Sequence, residues 1–393
     1  MATQERSLRL SVLSVVLCFA VLAGCGGPEP MPWHTQVLEA EFSAADSGKV
    51  TSLGDYLALE DALFKAMNTR IYDRTATGPA HAFERYSRGS LADPAGQPTD
   101  WIRSFELPAT DASGGVLLLH GMSDSPYSLR ALGETLQARG YHVLGLRMPG
   151  HGTLPSGLLH LHWQDMSALV RIGMQHLAEK LRDKPLHILG YSTGAALALD
   201  YALENGKGAA PAPLASLVLV SPAVGLSPAA GLAGWMRRLG SLPGLERLAW
   251  LSIEPEFDPY KYNSFTTNAA EQVNALTRSV ASRIAARETG AQPLPPILAI
   301  KSTVDATVSN DAVVDRLLGP LSDNRHELLV FDINRAAANR SLLTSDPGPF
   351  TRRLVEDTGL HFAVTLVTNS SPGTREVSAF HKPAFAAGPE RVE

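Results

Sequence analysis

The sequence predicts an α/β protein whose core is a mostly parallel sheet flanked by helices. Three observations carry this: six short, nearly all-apolar runs recur between residues 116 and 333, amphipathic stretches separate them, and one run ends on a serine between two glycines. The runs are VLLLHG from Val116, HVLGLRM from His142, LHILGYS from Leu186, SLVLVSP from Ser216, PILAIKS from Pro296 and ELLVFDI from Glu327. Such runs suit strands buried on both faces. The intervening stretches 128–139, 163–181 and 193–203 carry apolar residues at helical spacing, so right-handed βαβ crossovers follow.

Composition permits a large core. A chain of 393 residues, 45% hydrophobic and 19% charged, can fold as one large domain or as one domain with an insertion. The formal net charge is −5 and Lys and Arg are scattered rather than striped, which argues against a nucleic-acid partner and for a small-molecule substrate. No metal or cofactor motif is evident, and none is expected.

Taken in order, residues 1–24 read as a signal peptide. Arg6 and Arg9 precede an apolar run at 12–24 that is too short for a membrane-spanning helix. The tetrad Leu22, Ala23, Gly24, Cys25 resembles the lipobox of bacterial lipoproteins. That resemblance implies that Cys25 is lipidated and becomes the mature amino terminus. Gly26 and Gly27 follow in place of an acidic residue, implying the outer membrane, on its periplasmic side. Cys18, the other cysteine, lies in the segment that would be removed, so no disulfide is expected within the mature chain.

Residues 25–100 are expected to form a tether followed by an amino-terminal helical layer, from patterns such as EDALFKAMNTRIYDR. Residues 101–223 hold the first part of the core and 295–393 the second, ending in a hairpin across the SSPG turn. Between them, 224–294 offers no good strand, only helix-like stretches around FDPYKYNSF. An insertion this long needs its own structure, so a helical cap over the carboxyl ends of the strands is expected. Its Leu, Trp and Ala content suggests an apolar acyl chain as the guest.

The serine can then be placed. Gly190, Tyr191, Ser192, Thr193 and Gly194 fit a GxSxG turn between a strand and a helix, where the glycines leave room for the chain to reverse and Ser192 projects outward. A nucleophilic serine needs donors for the oxyanion that develops on the attacked carbonyl. The backbone amides of Thr193 and Met122 are the candidates, Met122 lying in the loop His120, Gly121, Met122 after the strand VLLL. His120 is expected to shape that loop rather than to act as a base.

The stretches LLLHGMSDSPYSLR, GYHVLGLRMPGHGTLPSG, ILGYSTGAALAL and ILAIKSTVDATVS together resemble the α/β-hydrolase fold, in its bacterial esterase, lysophospholipase and monoacylglycerol-lipase-like branch. The resemblance covers residues 101–333 and implies a serine hydrolase acting on esters, with His151 of PGHG in a structural turn. Triad members in this fold run Ser, then Asp or Glu, then His, which selects Asp305, just past the strand PILAIKS. Three histidines follow it: His326, His361 and His381. None stands directly after ELLVFDI, where the base usually comes. A hairpin with its first strand antiparallel to ELLVFDI would bring His361 and His381 to the catalytic end, and His381 is taken as the base.

Two readings follow from the sequence. The first is a lipid-anchored esterase using Ser192, His381 and Asp305. The alternative is a non-catalytic or impaired envelope lipoprotein that keeps the fold without a competent histidine.

Overall fold

The computed structural model describes residues 28–392 except 47, 206–211, 226–235, 239, 241–243, 288–291, 306–307, 322–323, 334–345 and 372–373. The expected signal segment and Cys25 lie outside the described residues. Ten strands form one sheet: β1 (Phe105–Leu107), β2 (Gly114–Leu119), β3 (Tyr141–Leu146), β4 (Leu186–Tyr191), β5 (Ser216–Val220), β8 (Ile297–Ser302), β9 (Glu327–Asp332), β10 (Ala363–Asn369), β11 (Val377–Lys382) and β12 (Glu390–Val392). A separate two-stranded ribbon pairs β6 (Trp250–Ser252) with β7 (Phe265–Thr266). The order in the large sheet is β1-β3-β2-β4-β5-β8-β9-β10-β11-β12. From β3 to β10 the neighbours are parallel, and β1, β11 and β12 pair antiparallel at the edges.

All six apolar runs form core strands, but they are not buried alike. Every residue of β2 is buried, whereas β5, β8 and β9 alternate between buried and partly exposed residues. One face of that half of the sheet is therefore thinly covered among the described residues. The main core lies on the other face from α2 (Arg130–Ala138), under α3 (Trp163–Leu181), α4 (Thr193–Asn205), α5 (Thr267–Ala285) and α6 (Gly348–Glu356). On α4 the residues Ala195 to Leu199 are all at most 1% exposed, because small and apolar side chains on every side let the helix sink into the layer.

The hairpin expectation needs one correction. Gly348–Glu356 is helix α6, with Phe350 and Leu354 one turn apart against the core, and it carries the chain back to the start of the sheet. β10 is consequently parallel to β9, with Ala363 opposite Glu327, not antiparallel. β11 returns antiparallel to β10 as expected of a hairpin, with His381 opposite Thr365.

The stretch expected as a helical cap divides in two. α5 lies beside α4 as the crossover between β5 and β8. Residues 250–266 instead reach across the loops that follow β2 and β3, with the Tyr262 N–H donating to Ser123 O at 2.7 Å and the Tyr262 hydroxyl to Gly150 O at 3.1 Å.

The amino-terminal layer is built on α1 (Leu53–Arg70). Ser52 caps it: its hydroxyl accepts the Asp55 N–H, and the Asp55 carboxylate accepts the Ser52 N–H. Leu53, Tyr56, Glu60, Leu63, Phe64 and Met67, three or four residues apart, form the buried stripe. Leu63, Phe64 and Met67 meet Trp33, Tyr72, Tyr86, Ile102 and Leu154 in a second apolar cluster. Tyr56 and Glu60 turn instead to Arg147 at the end of β3.

Candidate active site

The chain passes from β2 to β3 on one side and from β4 to β5 on the other, so the strand order switches between β2 and β4. Crevices at such points, outside the carboxyl ends of strands, are where α/β sheets bind ligands. Ser192 follows β4 and the loop His120, Gly121, Met122 follows β2, so the two flank this crevice.

Ser192 holds φ at 54°, in the left-handed region that costs a side-chain-bearing residue about 1–2 kcal/mol. Its surroundings compel that conformation. The Ser192 N–H donates to Val220 O at 2.9 Å, and Ser192 O accepts from Ala195 at 3.1 Å and Ala223 at 3.2 Å, so the turn is tied to β5 and to α4. A Cβ on Gly190 would stand 2.4 Å from Gly194 O, and one on Gly194 only 2.0 Å from Leu119 O. Both positions therefore need glycine for space. A Cβ on Gly121 would lie 3.4 Å from the Ser192 Cβ, which measures how closely the loop runs beside the serine. Thr193 is the first residue of α4, whose opening amides have no acceptor within the helix. Its N–H, at the positive end of the helix dipole, is suited to an oxyanion.

Asp305 follows β8 and accepts the Val308 N–H at 3.2 Å. Its carboxylate is ion-paired with Lys301, which is 1% exposed inside β8. Burial pushes the basicity of that lysine down, against the pull of Asp305. Burial, and after it the charges of Asp124 and Asp305, pushes the Tyr191 hydroxyl up, so both carboxylates are felt at the elbow. Ser192, the loop before Met122, Thr193 and Asp305 are thus gathered at one end of the sheet.

His381 is not brought there. It stands on β11, five strands from β4, a lateral offset of about 24 Å at ~4.8 Å per strand. It also faces the amino ends of the parallel strands, with its Nδ1 2.9 Å from the Thr365 hydroxyl and 3.8 Å from Glu327 Oε1. The assignment of His381 as the base is corrected by this geometry, because β10 runs parallel to β9. His361 sits at the same amino end, 3.2 Å from Leu318 O, and His326 there accepts the Ile297 N–H at 3.1 Å.

All twelve histidines of the sequence are among the described residues, and none is hydrogen-bonded to Ser192 there. Those closest in the fold are committed to structure. His120 donates from Nδ1 to Gly121 O at 2.8 Å and accepts the Met148 N–H on Nε2 at 3.0 Å, so it ties the loop after β2 to the one after β3. Burial holds its imidazole neutral, well below the usual range. His151 donates to Pro149 O at 2.8 Å and packs edge-on to His120 with ring centroids 5.1 Å apart. Burial pushes it down to about 4.

Sequence reasoning passed over Asp124, although it lies in the quoted run LLLHGMSDSPYSLR. It is 5% exposed and accepts the Ser125 N–H at 2.8 Å. Burial, opposed by the Ser125 amide, pushes its carboxyl up to about 6. A carboxyl raised in the folded state favours folding at low pH, and that contribution is lost as pH rises through about 6. Asp124→Asn, which keeps the shape and an acceptor, is expected to gain roughly 2–3 kcal/mol on wild type between pH 4 and pH 8. Urea midpoints at the two pH values check this, and an equal difference between the proteins at both would contradict it.

Fold and site together define an α/β protein that presents an elbow serine at the switch point of a parallel sheet. Residues 116–366, more than half of the chain, match the alpha/beta hydrolase family, and the chain belongs to it. It is 30% identical over 140 residues to the thermostable monoacylglycerol lipase of Bacillus sp. (strain H-257), across 35% of this chain and 55% of that one. It is 34% identical over 116 residues to the magnesium-chelatase 30 kDa subunit of Rhodobacter capsulatus, across 28% of this chain and 36% of that one. The chain thus spans about half or less of the length of these two relatives. Among solved structures, the monoacylglycerol lipase of Paleococcus ferrophilus matches with a TM-score of 0.46 at 20% identity, covering 58% of this chain and 88% of that one. That likeness concerns the fold alone.

Proposed function

We propose that this protein hydrolyses carboxylic esters of acyl lipids through Ser192, with the amides of Met122 and Thr193 receiving the oxyanion. The observation that carries the reading is Ser192 held at φ 54° between two glycines that admit no side chain, with the loop after β2 against it. A strained serine at a strand-to-helix turn is what a nucleophile elbow requires. The Bacillus relative, named as a monoacylglycerol lipase, supports the substrate class.

The mechanism we assign differs from the usual triad. With no imidazole hydrogen-bonded to Ser192, the Oγ proton leaves to hydroxide as the oxygen attacks the ester carbonyl. The oxyanion collapses to an acyl-enzyme as the alcohol oxygen leaves with a proton from water, which regenerates hydroxide. Attack of that hydroxide on the acyl carbon then releases the acid while Ser192 Oγ takes a proton from water. In subtilisin-type enzymes the oxyanion hole and binding alone retain roughly 10³–10⁴-fold acceleration over water, so slow turnover of activated esters is expected. Attachment through a lipid on Cys25, on the periplasmic side of the outer membrane, belongs to the same proposal and is supported by the tetrad Leu22, Ala23, Gly24, Cys25.

The alternative, a non-catalytic envelope protein retaining the fold, is favoured by one observation: the Asp305 carboxylate is held by Lys301 rather than by an imidazole. A nitrophenyl butyrate assay from pH 6 to 10, with fluorophosphonate labelling, separates the readings. The esterase reading expects fluorophosphonate labelling and a butyryl adduct on Ser192 by intact mass, both absent from Ser192→Ala. Turnover separates the two proteins less, because where no histidine serves the serine its loss costs little more. No label and no adduct in either protein would leave only the scaffold. A wild-type rate that climbs with pH fits the histidine-free route. A plateau with a midpoint near 7 would reveal an imidazole at work and refute that route.

A further inference from the structure

An apolar groove of about 750 Å³ lies away from Ser192, between the amino-terminal layer and residues 253–257. Pro28, Met31, Trp33, Phe83, Pro255 and Phe257 line it. Three of these are left in water: Met31 is 43% exposed, Phe83 69% and Phe257 57%. Contiguous exposed apolar surface of this kind usually marks an interaction site. The groove is firmly built. The Met31 N–H donates to His34 Nδ1 at 2.9 Å, His34 Nε2 lies 2.9 Å from the Ser264 hydroxyl, and the Arg85 N–H donates to Glu256 O at 2.8 Å.

The position of the groove suggests its occupant. Pro28 is part of its wall and stands three residues after Cys25, so the chain between them spans at most about 11 Å. A bilayer holding a lipid on Cys25 would therefore meet the groove. The groove also lies at the catalytic end of the sheet, because Arg85 donates to Gly152 O at 3.2 Å and the Tyr86 hydroxyl to Thr153 O at 2.9 Å, both in the loop after β3. The lining contains Glu29, Glu84, Glu254 and Glu256 but no Lys or Arg, which disfavours an anionic surface.

We propose that the rim formed by Met31, Phe83 and Phe257 docks into the acyl region of a zwitterionic bilayer and turns the catalytic end of the sheet toward it. This rests on the lipid-anchor reading of Cys25. The test uses the full chain carrying Phe83→Cys, purified from membranes, labelled with an environment-sensitive dye and reconstituted in phosphatidylcholine vesicles whose acyl chains bear a nitroxide at carbon 5. Asp183→Cys, at an exposed turn before β4 and so at the opposite end of the sheet, is the control. Docking expects quenching at position 83 at least threefold stronger than at position 183; equal quenching overturns it. A dye at 83 already shielded without vesicles, in a chain that sediments as a dimer, would show a second copy on the groove and also overturns it. Intact mass keeps the two readings apart: one dye per chain means Cys25 is blocked, and two or three, according to whether Cys18 is retained, mean that the anchor reading has failed. In the second case the comparison is repeated with Cys18→Ser and Cys25→Ser and added vesicles, where the same threefold difference is expected and its absence overturns the docking surface.

Discussion

Gly194→Ala is expected to destabilise the protein by about 3 kcal/mol or more and to lower the reactivity of Ser192 toward fluorophosphonates at least ~100-fold. The added methyl would stand 2.0 Å from Leu119 O and 2.7 Å from His120 O. These are backbone atoms at the end of β2, so no rotamer change relieves the clash. Either α4 lifts from the sheet or the loop after β2 retreats, and both movements change the distance between Ser192 and its oxyanion donors. Gly89→Ala is the comparison: that residue has φ at +73° with nothing within 4 Å of the added methyl, so it bears only the backbone strain, about 1–2 kcal/mol. Urea unfolding of both variants checks the ranking. A Gly194→Ala protein within 1 kcal/mol of wild type and still labelled at the normal rate would mean that the tight elbow is not what sets the serine.

The elbow was legible in the sequence because every residue that makes it lies within five positions, and the glycines have no other reason to flank a serine there. The strand that precedes it and the helix that follows are equally local patterns. The histidine was not legible for the opposite reason. Its position depended on whether residues 334–362 turn straight back or cross over, and the Gly348-Pro349 start of α6 reads as a turn signal in sequence although it opens a helix. One missed helix of nine residues reverses β10 and carries His361 and His381 to the wrong end of the sheet. Lys301 gave a local signal, a charge inside the apolar run PILAIKS, but its pairing with Asp305 needed the turn after β8 to be seen. The amino-terminal layer was legible only as helical. What it attaches to is fixed by partners 87 and 106 residues apart in the chain.

Those partners meet at Arg147, and its removal is the second large effect expected. The guanidinium is 0% exposed and sits between two carboxylates, with Nη1 and Nη2 on Glu41 at 3.1 and 3.0 Å and Nε on Glu60 at 3.1 Å. It also donates to His151 O at 2.8 Å and lies 5.6 Å from the centroid of the Tyr56 ring. One cation thereby fastens the amino-terminal layer to the loop that runs on toward His151 and the catalytic end. Burial pushes the Glu60 carboxyl up, and the attraction of Arg147 opposes this. Arg147→Ala leaves that carboxylate buried without a counter-charge, a change that typically costs about 3–5 kcal/mol. The sign with pH follows from Glu60. A carboxyl raised further in the folded state is tolerated below its titration and penalised above it, so the deficit of Arg147→Ala should be smallest near pH 4 and grow toward pH 8. Adding Glu60→Gln to the variant should recover part of the loss at pH 8 and little at pH 4, because the amide keeps the shape but carries no charge. Proteolysis adds a spatial readout: cleavage within residues 35–97 should accelerate in Arg147→Ala before the sheet is attacked. A deficit that is flat with pH, together with unchanged cleavage in that layer, would mean the layer is held by its apolar cluster alone.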